Sequence, residues 1–218
     1  MIPNILNFLN QLSENNTREW FAANKPLYDT AKADFEAITA RFIKEITVFD
    51  PDIRGLQPRD CIFRIFRDVR FGKDKSPYKT NFGASFNKSG KKIHNAGYYF
   101  HLEPNACFIG GGIYMPEPEQ LKAIRQEIYY NYDEFSAIIN QKDFVRYFAS
   151  INGSRLSLPP KGYPKDFAGI EILKFKDFTT LHQFNPLQYP NDKLFDYSLP
   201  IFHAMKPLND FLNRAIAL

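Results

Sequence analysis

The hydrophobic period of this chain changes once between its first third and its middle, and that change narrows the fold more than any other feature. Trp20, Phe21, Leu27, Tyr28, Ala31, Phe35, Ile38, Phe42 and Ile46 recur at helical spacing, the pattern of a helix with one buried face. Ile5, Leu6, Leu9 and Leu12 repeat it in a shorter opening helix. Asn16, with Glu19 three residues on, is the expected N-cap of the helix around Trp20. Pro26 lacks an amide hydrogen, so a short helix is expected to stop near Ala23 and a longer one to run from Pro26 to about Thr47.

From Cys61 the period drops to two. CIFRIF, TNFGASF, AGYYFHLE and ACFIGGGIY are short, aromatic and β-branched, with turn residues between them, and predict an antiparallel meander of four strands. NKSGKK and EPNA read as hairpin connections, and KDFTTLHQF as an added fifth strand. Helices are expected again after MPEPEQ, over Glu134–Ile139 and over Lys142–Ala149. A proline-rich loop follows at SLPPKGYPKDF, and a closing helix from Phe195 to Ile216, broken around Pro200 and Pro207. Helices before and after a sheet predict an α+β fold, one domain over residues 1–218, with the sheet covered mainly on one face. With Phe 22 and Tyr 12 the chain has enough rings to build such a core, which argues against disorder.

No run of 18 apolar residues occurs, so no membrane partner is expected. The opening MIPNILNFLNQLSENN has neither a basic segment nor a small-residue cleavage site, and a secretory leader is not expected. Cys61 and Cys107 each lie in an apolar run and are expected as buried thiols of a cytoplasmic protein. No Cys or His spacing matches a zinc site. Asp68, Asp74 and Glu103 offer oxygens, but their spacing fixes no coordination set, and no cofactor is named by any motif.

The charge is the second informative feature. RIFRDVRFGKDKSPYKT, from Arg64 to Thr80, carries 6 bases and 2 acids, a net +4 that equals the charge of the whole chain. A local excess of this kind holds an anion, whereas a uniform one mainly aids solubility. If Cys61–Phe66 is a strand, Arg64 shares a face with Ile62 and Phe66, and its desolvation calls for an acid, carbonyls or a bound anion. Gly72 and Pro77 bend the rest into a loop presenting Arg67, Arg70, Lys73, Lys75 and Lys79. Guanidinium forks suit phosphate or carboxylate oxygens, and the Tyr78 hydroxyl adds a donor. The expected arrangement has one of Arg64, Arg67 and Arg70 buried and paired with Asp68, and at least one open to solvent or ligand. In FIGGGIY, Gly111 lies in a strand pattern where glycine marks a bulge or a close approach, here read as the floor of a pocket.

These residues predict a basic pocket for a phosphate-bearing or other anionic small molecule, built from Arg64, Arg67, Asp68, Arg70, Lys75, Tyr78, Lys79 and Gly111. A second reading is a nucleic-acid-binding accessory protein, since Phe63, Phe66, Phe71, Tyr78, Tyr98 and Tyr99 interleave with the bases. A third is a protein-interaction module whose arginines only fasten the loop. Tyr99, His101 and Glu103 alternate onto one strand face, where they read either as solvated polar residues or as an acid–base group. His94, His182 and His203 are scattered, and no P-loop, nucleophile elbow or paired-carboxylate motif is present.

The spacing Arg64-x-x-Arg67-Asp68-x-Arg70-Phe71-x-x-x-Lys75-x-x-Tyr78 resembles the signature of the bacterial domain-of-unknown-function 2461 family. The likeness extends to NNTREWFAANKPLYD, AGYYFHLEP, GGGIYMPEPEQLKAIRQEI and KPLNDFLNRA, and so covers nearly the whole chain. The resemblance implies an intact single-domain member of that family. It implies no reaction, the family being uncharacterised.

Overall fold

The computed structural model describes residues 1–70, 74–93, 95–190 and 192–217. Helices α1 (Ile2–Glu14), α2 (Arg18–Ala23) and α3 (Lys25–Ile46) come first, then the single helical turn α4 (Pro58–Cys61). Strands β1 (Phe82–Phe86), β2 (Gly97–Leu102) and β3 (Phe108–Ile113) follow. Helices α5 (Pro118–Tyr130), α6 (Tyr132–Ile139), α7 (Lys142–Phe148) and α8 (Ile170–Leu173) separate these from β4 (Phe178–Gln183), and α9 (Lys193–Ile216) closes the chain. The sheet is antiparallel throughout, in the order β1-β2-β3-β4. One core unites all of these elements in an α+β domain. No described helix is long and apolar enough to cross a membrane.

Alternation along the strands sorts the side chains. The pairs Phe82↔Leu102, Ala84↔Phe100 and Phe86↔Tyr98 send these residues to one face. The pairs Tyr98↔Gly111 and Phe100↔Ile109 extend that face across β3. Helices α3 and α9 cover it with rings. Phe42 of α3 lies 4.8 Å from Phe100, 4.8 Å from Phe195 and 5.3 Å from Phe202, and Phe35 lies 5.2 Å from Phe82. Burying each such ring contributes about 1.5–3 kcal/mol. Two asparagines of α9, one helical turn apart, fasten the helix to strand ends. Asn209 Oδ1 accepts from the Gly112 amide at 3.1 Å, while Asn213 accepts from the Ala96 amide and donates to the Ala96 carbonyl at 2.9 and 3.1 Å.

Three sequence expectations need correction. CIFRIF is not a strand of the sheet. Pro58 at the first helical position and a capping box between Gln57 and Asp60 wind its start into α4, and the chain is extended only from Ile62, with isolated bridges to Ala84 and from Phe66 to Tyr78. The fourth strand is KDFTTLHQF instead. The helix around Trp20 is capped by Thr17, whose hydroxyl accepts from the Trp20 amide at 3.2 Å, which frees Asn16 for another task. The closing helix is unbroken through Pro200 and Pro207. The carbonyls these prolines leave unbonded, four residues back, belong to Asp196 and His203, both exposed residues, where losing the helical bond costs less than in the core.

At Gly111 the sheet meets α9 closely: a Cβ there would lie 2.5 Å from Met205 Sδ and 2.6 Å from the Gly97 carbonyl oxygen. Gly111→Ala should therefore destabilise the fold by about 1–3 kcal/mol. Met205→Ala in the same chain should not restore it, because the Gly97 carbonyl cannot move aside. Urea melts of the single and double variants check this.

Candidate functional site

The basic segment folds back on itself beside β1. Phe63 N–H donates to Gly83 O at 3.0 Å, Lys79 N–H to Ile65 O at 2.8 Å and Arg67 N–H to Pro77 O at 3.0 Å, so residues 62–67 run antiparallel to 77–84. Two apolar anchors pin this irregular hairpin. Ile65 is buried, and Tyr78 stacks on Phe21 with centroids 4.1 Å apart. The Asn16 side chain then bonds both backbone groups of Tyr78, at 3.0 and 3.2 Å. Tyr78, expected as a hydroxyl donor to a ligand, is 5% exposed and is chiefly the hairpin's core anchor. Phe71, Gly72 and Lys73 of the same stretch, and His94, lie outside the described residues.

The three arginines differ, though not as their spacing suggested. Asp68 pairs with Arg70 through two bonds of 2.9 and 2.6 Å, and Arg70 is 74% exposed. That bidentate contact holds the Asp68 carboxyl well below the usual carboxylate range. The more buried Arg67, 32% exposed, pairs with Asp74. Asp74 also accepts from the Ser76 amide and hydroxyl, at 2.9 and 2.6 Å, which lowers its own pKa. Among the described residues Asp68 has no buried partner, because the loop after Phe66 leaves the sheet before Asp68 is reached. Lys75 donates to the Val69 carbonyl at 2.8 Å.

Arg64 and Lys79 remain. Arg64 is exposed rather than wedged between apolar neighbours, since Phe66 beside it is itself 50% exposed. Among the described residues neither cation has an ion pair or a side-chain hydrogen bond, and Lys79 Nζ lies 5.7 Å over the Phe63 ring. Burial pushes the Lys79 ammonium below the usual lysine value, and the positive charges of Arg64 and Arg67 push it further.

Phe63 leads from these cations to the face of the sheet that α3 and α9 leave open. Its ring meets Tyr99 edge-on at 6.2 Å. Strand β2 and the residue after it present Tyr99, His101 and Glu103 on this face in a chain of hydrogen bonds. Tyr99 Oη lies 3.3 Å from His101 Nδ1, His101 Nε2 lies 3.1 Å from Glu103 Oε2, and Thr80 Oγ1 donates to Glu103 Oε1 at 3.1 Å. The His101 ring stacks on Phe108 of β3 at 4.5 Å, which fixes its plane. Gly83, across β1, leaves the space that the Tyr99 hydroxyl enters; a Cβ there would overlap it. Burial, reinforced by the Glu103 charge, pushes the Tyr99 phenol up to about 12. Burial lowers His101, with Glu103 opposing.

A family model described as a conserved hypothetical protein, DUF2461, matches residues 4–211. The chain belongs to that family. No curated protein and no solved structure matches it. The match spans the basic hairpin, the Tyr99–Glu103 chain and Asn209 of α9, so all of these lie within the matched region.

Two other placements bear on the site. Gly111 faces α9, on the side of the sheet away from Tyr99 and His101, so the close approach there is made by Met205. Asp68, Asp74 and Glu103 are engaged by Arg70, by Arg67 and Ser76, and by His101 and Thr80. No cluster of His, Cys, Asp or Glu able to hold a metal ion occurs among the described residues. A cavity of about 540 Å³ beside Pro104, Cys107 and Asn185 has no charged lining residue. Sequence reasoning set out the alternation of Tyr99, His101 and Glu103. It missed the contacts of Thr80, Gly83 and Asn16, whose partners are 23, 16 and 62 residues away.

Both cysteines are buried and free. Burial, with Asp60 nearby, pushes the Cys61 thiol up to about 12, and burial raises Cys107. Thiol reagents should label the native protein slowly and the unfolded chain fast; rapid native labelling of either cysteine would contradict this. His101 sits below the usual imidazole value of 6.5 in the folded chain, so the unfolded chain takes up that proton first as pH falls. Stability should decline as pH falls below about 6.5, and His101→Gln should flatten that decline in thermal melts.

Proposed function

We propose that this protein binds an anionic small molecule, through a phosphate, sulfate or carboxylate group, at Arg64 and Lys79 beside the open face of the sheet. The observation that carries the reading is that the hairpin pairs Lys79 with Ile65, between Arg64 and Arg67, and leaves its half-buried ammonium without an ion pair among the described residues. Like charges held together raise the free energy of the fold, and an anion seated between them lowers it. Arg67, Asp68, Arg70 and Lys75 shape the hairpin that presents the pair. In part this meets the module reading, in which arginines fasten the loop. The two buried free thiols accord with a reducing compartment, and the cytoplasm is the proposed location.

One observation favours nucleic acid as a second reading. The Phe63 and Phe66 rings, 36% and 50% exposed, flank Arg64 and suit stacking of unpaired bases.

Thermal melts in sulfate test the anion site. A Kd of about 1 mM would add about 1.4 kcal/mol at 10 mM sulfate, or about 3–6 °C for a chain of this size. Chloride at equal ionic strength should do little. Lys79→Ala should lose most of the sulfate increment, while Arg70→Ala, outside the convergent group, should keep it. Equal stabilisation by chloride and sulfate would refute the site. A larger shift with a single-stranded oligonucleotide, lost in Phe63→Ala, would favour the second reading.

A further inference from the structure

The hydrogen-bond chain on the open face has a direction set by chemistry. Glu103 is a carboxylate that only accepts, so the His101 nitrogen facing it, Nε2, carries the hydrogen. The other nitrogen, Nδ1, is then the acceptor, and the Tyr99 hydroxyl donates to it. In this resting state the only phenolic hydrogen is committed inward. A proton added to His101 reverses that bond. Nδ1–H becomes the donor, Tyr99 Oη accepts, and the phenolic hydrogen is released to point elsewhere. Glu103, fixed on its other oxygen by Thr80, faces the imidazolium and stabilises it.

We propose that Tyr99, His101 and Glu103 form a proton relay whose terminal donor, the Tyr99 hydroxyl, serves an oxyanion held by Arg64 and Lys79. The proposal rests on the anion reading above and names what that site does with its ligand. Three features of the geometry support it. Gly83 makes room for the hydroxyl, Phe108 locks the imidazole plane, and Phe63 joins the Tyr99 ring to the Lys79 ammonium. Together these hold a phenol that burial keeps protonated beside an imidazole whose protonation burial opposes and Glu103 favours.

The transfer balances without a further reagent. As the bound anion takes a proton on one of its oxygens, the Tyr99 O–H bond breaks and the new O–H bond forms on the ligand. The His101 Nδ1–H proton passes to Tyr99 Oη, which restores the phenol. The net change is one proton from the imidazolium to the ligand, leaving a neutral imidazole beside Glu103. Such a relay suits reactions in which an oxygen of a phosphate-, sulfate- or carboxylate-bearing substrate must be protonated.

The groups facing His101 are few. Tyr99 and Glu103 neighbour it along β2, Gly83 of β1 and Phe108 of β3 carry no charge, and Thr80 reaches it through Glu103. Sulfate is the right probe because it stays a dianion from pH 5.5 to 7.5, so any pH dependence belongs to the protein. Calorimetric titration of the full chain should show sulfate binding about tenfold tighter at pH 5.5 than at 7.5, the worth of one hydrogen bond to a charged acceptor. Tyr99→Phe should keep the affinity at pH 7.5 and lose the rise. His101→Gln, which retains a donor and an acceptor, should also lose it, and stands in if Tyr99→Phe fails to fold. Lys79→Ala should weaken binding at both pH values, which reports on the anion site alone. Affinity independent of pH in the wild type, or a full rise retained in Tyr99→Phe, would overturn the relay and leave the anion site standing. No sulfate binding at either pH would overturn both.

Discussion

The layer of phenylalanine rings between the sheet and helices α3 and α9 is the constraint on which the remaining structure depends. Phe42 touches Phe100, Phe195 and Phe202 at once, joining residues from the first helix pair, the central strand and the closing helix. Because strand side chains alternate with a period of two, committing Phe82, Phe100 and Ile109 to this layer commits Gly83, Tyr99, His101 and Phe108 to the opposite face. A slip of one residue would turn His101 into the ring layer and take Phe100 out of it, so the core enforces the register. The polar chain on the open face follows from how the apolar face is packed.

The same core accounts for the concentration of charge. Tyr78 and Ile65 insert beneath the hairpin, and Asn16 ties its backbone to the loop before α2. That attachment holds Arg64, Arg67, Arg70, Lys75 and Lys79 in a short stretch in spite of their mutual repulsion. Two acids answer two arginines within the loop, Asp68 with Arg70 and Asp74 with Arg67. The remainder falls next to the sheet, where Lys79 is partly desolvated and feels both Arg64 and Arg67. The exposed pairs contribute little to stability; their consequence is to shape the hairpin and leave Arg64 and Lys79 outside any ion pair among the described residues.

Much of the fold was legible in the chain. The stripe from Trp20 to Ile46 marked α2 and α3 closely, and alternation in TNFGASF, AGYYFHLE and ACFIGGGIY marked three strands. CIFRIF misled because local capping around Pro58 outweighed its β-branched and aromatic content. Pro200 and Pro207 misled because a proline's cost depends on where the freed carbonyl lies, and here both carbonyls belong to exposed residues of α9, Asp196 and His203. The shift of the N-cap from Asn16 to Thr17 has the same origin: Asn16 had a distant partner, the backbone of Tyr78, that local spacing does not reveal.

The sequence by itself determined the period of each segment, the α+β class, the family signature and the net charge of +4 concentrated between Arg64 and Thr80. These are local properties, set by spacing along the chain and by the chemistry of neighbouring residues. Only the tertiary structure decided which cations are neutralised, that Tyr78 is core, that Gly111 faces α9, and that Thr80 completes the contacts of Glu103. Each of these depends on a contact between segments far apart in sequence. Such contacts are chosen by the packing of the whole chain, where burial and register act together, and no local pattern encodes them.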